Sequence, residues 1–298
     1  MYSGTTLVPL KRFDAWFGAH QKIDRIARRN LATLLKASSS AVPQTGDILK
    51  FEGLNGPDGI KRKTPAKDEP WHYYDPSDPY DSKILRLIDD QYQELVAAMR
   101  AGDQVRAAFE MAWLAHALVD GLTPAHHYPY EEELTKLRGG AGKETRTSVK
   151  EKVLMPGGTL GERVSNNWKM WGDKGLLATH FAFEWGIAVM ISPLRLRQSM
   201  PTSEEVESAV GKPITQLFHE HATAVADLKM YDYFYRYGWT LHLAKVARRQ
   251  LVPGIINAVT LAWYKAAVEA GVIDDPKRMQ KPHAGPTKAR QAKRSSKR

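Results

Sequence analysis

Between Gly175 and Ile191 the chain reads GLLATHFAFEWGIAVMI, apolar on nearly every side, with His180 and Glu184 as its only ionisable groups. Seventeen residues stand at the bottom of the range for a membrane span. A helix that is apolar all round is also what the centre of a large helical domain presents, and that is the reading adopted here, with no transmembrane segment expected. An unpaired carboxylate in such a place is strongly unfavourable. His180 and Glu184, four residues apart and so on one helix face, must therefore satisfy each other or share a metal.

A second stretch repeats the device. Trp113 to His127 reads WLAHALVDGLTPAHH, with His116, Asp120 and His126 spaced by four and then six residues. In a helix His116 and Asp120 reach a common point, on the side where Phe109, Ala112 and Trp113 continue an apolar stripe. Gly121 and Pro124 are expected to end the helix and let the turn aim His126 back at the same cavity or one beside it. A surface pair worth about 0.3–0.5 kcal/mol is the alternative for any His and Asp at this spacing.

Composition narrows the chemistry. With 298 residues and 43% hydrophobic content the chain buries a full core, and one all-α domain is expected over residues 1–275. The absence of cysteine excludes disulfides and thiolate metal sites, so any metal takes imidazole and carboxylate, a donor set that suits zinc and harder divalent ions. The first residues, MYSGTTLVPLKRFDAW, contain no apolar run of signal-peptide length, which makes a cytoplasmic location the expectation. The formal charge of +10 is concentrated in residues 277–298, which hold nine Lys/Arg and no acid, leaving the rest nearly neutral. That segment reads as a disordered basic tail, either in contact with nucleic acid or an anionic membrane or simply solvated.

Along the chain, FGAHQKIDRIARRNLATLLK has apolar residues at 23, 26, 27, 31, 34 and 35, which predicts a helix from Asp14 to about Lys36 with His20 near its start. Residues 38–70 read as a long irregular loop carrying NGPDG, with Asp58, and leading to WHYYDPSDPYD, with His72. Lys83 to Arg100 is an amphipathic helix, Asp103 caps the next one, and residues 138–162 are a surface insertion. Three more helices are expected at about 203–229, 231–250 and 253–271, with the aromatic run YDYFYRYGW packing in the core. His219, His221 and His242 have no carboxylate placed to complete a site, and neither a strand-period segment nor a repeat is visible.

The candidates collected are His20, Asp58, His72, His116, Asp120, His126, His180 and Glu184. In order along the chain, GAHQKIDRIARRN, the PD of GPDG, WHYYDP, HALVDGLTPAH and HFAFE resemble the zinc-dependent phospholipase C and S1/P1 nuclease superfamily over most of residues 14–190. The central H-x3-D-x5-H, with proline two before the last histidine, is the specific element. The resemblance implies an all-helical fold around a cluster of zinc ions, two or three in number. Asp58, His72, His116 and Asp120 are similar to the ligands of a first ion, and His126, His180 and Glu184 to those of a second. His20 and Asp120 are similar to part of a third site, with Asp120 bridging. Asp47 is a rival to Asp58, and His127 to His126. In secreted members a processed N-terminal tryptophan completes the third site through its free amino group. Here Trp16 stands four residues before His20 with no cleavage signal in view, which leaves that place to water or another side chain.

The resemblance further implies phosphodiester hydrolysis, with Asp58 orienting or deprotonating the attacking water. WHYYDPSD is closer to the phospholipase branch, so a phospholipid is the first expected substrate and nucleic acid the second. A non-catalytic, metal-stabilised binding protein is the third reading. Trp71, Tyr73 and Tyr74 flank His72 and are expected either to stack on a base or enclose a quaternary ammonium, or to be core.

Overall fold

The apolar spacings around residues 23–35, 84–99 and 107–119 form helices as expected. The computed structural model describes residues 1–3 and 17–273; Trp16, the start of the predicted first helix and the basic segment 277–298 lie outside the described residues. Among the described residues there is no strand. With the one-turn segment Thr45–Ile48 and the 3-10 turns left unlabelled, the helices are α1 (Ala19–Leu35), α2 (Pro57–Lys63), α3 (Lys83–Ala101), α4 (Gln104–Gly121), α5 (Tyr130–Leu137), α6 (Val149–Val153) and α7 (Leu160–Trp171). They continue as α8 (Leu176–Ile191), α9 (Ser203–Val210), α10 (Ile214–Asp227), α11 (Met230–Tyr237), α12 (Leu241–Val246) and α13 (Val252–Glu269), with a π-helical turn at Ala247–Leu251 joining the last two.

The α3–α4 hairpin turns on two residues. Gly102 ends α3 at φ +72°, a left-handed conformation that favours glycine. The Asp103 carboxylate then accepts from the amides of Val105 and Arg106 at 3.1 and 2.9 Å, capping α4. α4 ends at Gly121, where a β-carbon would stand 2.7 Å from both Ile84 Cδ1 and Phe218 Cζ. That contact lets α3 and α10 close over the end of α4.

The centre of the domain is α4 and α13, each buried on nearly all sides. The Trp263 indole of α13 donates to the Met111 carbonyl of α4 at 3.1 Å, so even the polar atom of this buried ring is satisfied within the core. Leu241–Glu269 is the one stretch among the described residues long and apolar enough to cross a membrane, and 89% of its most apolar window is buried in the fold.

The expectation for 175–191 is corrected. α8 buries only one face, through Phe183, Glu184, Ile187, Ala188 and Ile191, while Phe181 and Val189 are exposed. Of its other apolar residues Leu177 and Phe181 border a cavity and Trp185 stacks on Phe17 at 5.8 Å, while the Trp239 indole lies against Gly186, where a β-carbon would stand 2.0 Å from Nε1. Composition alone does not separate a helix surrounded by core from one that lines a cavity. Residues 38–70 are likewise not irregular throughout but a series of short helical turns that includes α2. The predicted helix at 203–229 is broken before Pro213, and that at 231–250 by Gly238 at φ +66°.

Candidate metal centre

α4 places His116 and Asp120 on one face, both buried. Around them α1 contributes His20, α2 contributes Asp58 and Lys61, and α8 contributes His180 and Glu184. The 3-10 turn Pro124–His126 that follows α4 brings His126 back, as the Gly121 and Pro124 signals predict. Two groups of three result. His20, His116 and Asp120 form one, and His126, His180 and Glu184 the other; within each, one ligand atom per residue lies within 4.8 Å of the others.

In the first group Asp120 Oδ1 lies 3.2 Å from His20 Nε2, and Oδ2 lies 3.3 Å from His116 Nε2. Both rings are buried, stack at 4.0 Å between centroids, and have ring nitrogens with no hydrogen-bond partner. Imidazole nitrogens that face a shared carboxylate without hydrogen-bond geometry are the donor arrangement a divalent cation takes. In the second group Glu184 Oε1 lies 2.8 Å from His126 Nε2 and 3.2 Å from His180 Nε2. His126 Nδ1 donates to the His72 carbonyl at 2.9 Å. In the neutral ring Nε2 is then a lone pair aimed at a carboxylate oxygen, which requires a cation or a proton between them. Burial, partly offset by Asp120, pushes His126 down to about 4, which favours the neutral ring. The donor set of both groups fits zinc.

Asp58 and His72 stand differently. Asp58 Oδ1 is 3.5 Å from His116 Nε2, but Lys61 Nζ lies 3.2 Å from Asp58 Oδ1 and 3.0 Å from Asp120 Oδ2. His72 donates from Nδ1 to the Pro70 carbonyl at 3.0 Å and turns its ring toward His126, 5.1 Å away between centroids. Of the four residues that the resemblance gives to a first ion, Asp58, His116 and Asp120 are near one another with the Lys61 ammonium between the two carboxylates, His72 turns to His126, and neither Asp58 nor His72 belongs to the two three-ligand groups. Asp47 is on the surface, 2.8 Å from Lys50 Nζ. His127 donates from Nε2 to the Gly121 carbonyl at 2.8 Å, away from both groups.

Two participants have no counterpart in the sequence reading. The Met1 amino group is buried, 2.5 Å from Asp120 Oδ1 and 3.1 Å from Glu184 Oε1, and so spans the two groups. Nothing local announces this, since residues remote in sequence are brought together only by the fold. Lys61 is the other; its i+3 relation to Asp58 on a short helix was a legible signal.

The charges reinforce one another. Burial raises Asp58, but Lys61 and His116 outweigh it and hold the carboxyl below its ordinary range. Burial likewise acts on Asp120 and Glu184, and the Lys61 ammonium and N-terminal amine for the first, the N-terminal amine and His180 for the second, keep both ionised. His116 is lowered by burial but raised more by Asp120 and Asp58, ending well above the ordinary histidine value. Burial and Lys61 hold His72 well below it, and burial and His116 lower His20.

A cavity of about 440 Å³ is lined by His126, His180 and Glu184 of the second group and by Asp120 of the first, and is bordered by Tyr2, Tyr73, Tyr130, Leu134, Val153, Leu177 and Phe181 on its apolar side. Tyr73 stacks on Tyr130 at 5.6 Å and 8°. Its neighbours do not share that position. Tyr74 is buried, with its hydroxyl 2.6 Å from His219 Nδ1 and its ring against Phe218. The Trp71 ring is covered by Lys83 Nζ at 4.1 Å and stands outside the cavity lining. Of the three aromatics expected to meet substrate, Tyr73 alone lines the cavity.

Comparison with known proteins yields no match: no family model, curated protein or solved structure matches this chain.

Proposed function

We propose that the chain is a zinc-dependent phosphodiester hydrolase of the phospholipase C kind. The observation that carries this reading is the pair of buried three-ligand groups, joined through Asp120, Glu184 and the Met1 amine, opening on one cavity with an apolar wall. His20, His116 and Asp120 hold one ion, and His126, His180 and Glu184 a second. Asp58 and His72 reach a further ion only if Lys61 leaves the two carboxylates it now bridges.

When bound, zinc supplies Lewis acidity toward the phosphate oxygens and activates water at neutral pH. The side chains do the rest. Asp58 stays ionised beside His116 and would orient the attacking water as a hydrogen-bond acceptor. Lys61 puts a fixed positive charge where charge accumulates on the phosphoryl oxygens. Tyr73, Leu134, Val153 and Leu177 accommodate an apolar diester substituent. Phospholipid is favoured over polynucleotide because the cavity wall carries an apolar side of Tyr73, Leu134, Val153 and Leu177, while two of its cations are paired, Arg146 with Glu131 and Lys152 with Glu69.

The test is elemental analysis of the full chain beside hydrolysis of phosphatidylcholine vesicles, single-stranded DNA and a chromogenic phosphodiester. At least two zinc ions per chain with turnover of the chromogenic and lipid substrates is the expected result. Less than one equivalent of metal, or full loading without any hydrolysis, overturns the enzyme reading; the second outcome leaves a metal-stabilised binding protein.

A further inference from the structure

Helix α7 places its apolar residues on the wrong side for a soluble core. Leu160, Val164, Trp168 and Trp171 are 76%, 64%, 67% and 48% exposed, and Met170 is the only buried residue of the helix. Their spacing of four, four and three sets them within an arc of about 80° at 3.6 residues per turn. This is one continuous stripe rather than scattered exposure, and a stripe of large apolar side chains facing solvent marks an interaction surface.

Two observations indicate what covers it. The first is position. Trp171 Nε1 donates to the Val153 carbonyl at 2.7 Å, which ties the stripe to Val153, and Val153 and Phe181 are at once exposed and part of the cavity lining. The stripe therefore runs to the mouth of the cavity. The second is charge. The acidic residues of α6 and α7 are engaged at helix starts: Glu151 accepts from the Ser148 amide at 2.9 Å and Glu162 from the Thr159 amide at 3.2 Å, each in a capping box. Over residues 148–174 five cations (Lys150, Lys152, Arg163, Lys169, Lys174) stand against three acids (Glu151, Glu162, Asp173); Arg163 is exposed next to Val164 of the stripe, while Lys169 and Lys174 line the neighbouring pocket at Tyr231 and Tyr235. A second copy of this face would bring like charges together. An anionic lipid surface would meet cations at its headgroups and indole and aliphatic side chains at its acyl boundary, the profile of an interfacial helix.

We propose that α7, with Leu160, Val164, Trp168 and Trp171 as its inserted face, docks the protein on an anionic lipid surface and sets the cavity mouth at Val153 and Phe181 against it. The delivery of lipid to the cavity rests on the hydrolase reading; the docking does not. Binding of the full-length chain to vesicles of phosphatidylcholine with phosphatidylserine, and of phosphatidylcholine alone, is measured by co-sedimentation for the wild type, Trp168→Ala and the triple variant Leu160→Ser, Val164→Ser, Trp168→Ala. Analytical ultracentrifugation of the same samples and turnover of a water-soluble chromogenic phosphodiester accompany it.

The expected result is binding that favours the anionic vesicles, falls about tenfold in Trp168→Ala, as burial of one large apolar side chain predicts, and is lost in the triple variant, with soluble turnover unchanged. Because every variant keeps the basic segment 277–298, vesicle binding that survives in the triple variant assigns the contact to that segment and overturns the proposal. Absence of binding in the wild type also overturns it. So does a wild-type dimer that the variants convert to monomer without any lipid effect, which assigns the stripe to a second copy. Stripe-dependent vesicle binding in a protein that hydrolyses nothing leaves the docking standing while the hydrolase reading falls.

Discussion

α4 and α8 carry the same device, a histidine followed four residues later by a carboxylate, in opposite surroundings. His116 and Asp120 sit in a helix enclosed by core, whereas His180 and Glu184 sit on a helix face that itself lines the cavity, with exposed residues such as Val189 elsewhere on the helix. The carboxylates differ accordingly. Asp120 has only remote partners in the Met1 amine, His20 and Lys61, besides its helix neighbour His116. Glu184 keeps 12% of its side chain accessible, so water can take up part of what is lost when a partner leaves. One half of the centre is anchored in a rigid interior and the other is mounted on a wall that can adjust. The first should govern stability and the second exchange of metal.

The harshest way to break that comparison is Asp120→Asn, which keeps the shape but removes the charge that holds Met1, His20, His116 and Lys61 together. Hydrolysis should vanish, metal content should fall in both groups, and unfolding of the metal-free protein should become easier by about 3–5 kcal/mol, the cost of breaking a buried ion pair. Glu184→Gln should empty the second group while sparing the first and destabilise by about 1–3 kcal/mol. If the two variants prove equally destabilised in denaturant titrations, the contrast between interior and wall is wrong.

Asp58→Asn sharpens the division between holding metal and using it. Turnover should drop by about 10²-fold while most of the metal remains bound, because Asp58 belongs to neither three-ligand group. Full activity in this variant would remove the catalytic role from α2.

Acid titration of the chelated protein comes next in size. His126 has a folded value of about 4 against an ordinary 6.5, so between those pH values the unfolded chain takes up a proton that the folded ring refuses. Stability should therefore fall as pH drops from 6.5 toward 4, on the order of 3 kcal/mol for this ring alone. His20 and His72, also lowered, act in the same direction. His116 is raised and acts oppositely: its contribution is full below 6.5 and is lost as pH rises through its folded value. Asp58, Asp120 and Glu184 are depressed, and their contribution disappears only as pH falls further, below the ordinary carboxylate range. Thermal melts across pH 4–7 that show no loss toward the acid end would contradict the buried-neutral assignment of His126.

The smallest effect separates two adjacent tyrosines. Tyr74→Phe should cost about 1 kcal/mol through its hydrogen bond to His219 and leave KM unchanged. Tyr73→Ala should raise KM for a diester with an apolar substituent, since its ring lines the cavity.

Local chemistry was enough to place the α3–α4 hairpin, because Gly102, Asp103, Gly121 and Pro124 act on their own backbone and the apolar stripes between them repeat at the helical period. The pairings His116 with Asp120 and His180 with Glu184 were equally legible, since residues four apart share a helix face whatever surrounds it. Which helix lies at the centre was not, because α8 and α13 are both apolar in composition and only packing decides which of them borders a cavity. Nor could the chain as a string show that the Met1 amine reaches Asp120, that Lys61 stands between Asp58 and Asp120, or that Tyr74 turns to His219 while Tyr73 faces the cavity. Apart from the Asp58–Lys61 step along one helix, those contacts join residues far apart in sequence, and their geometry exists only once the tertiary fold has brought the helices together.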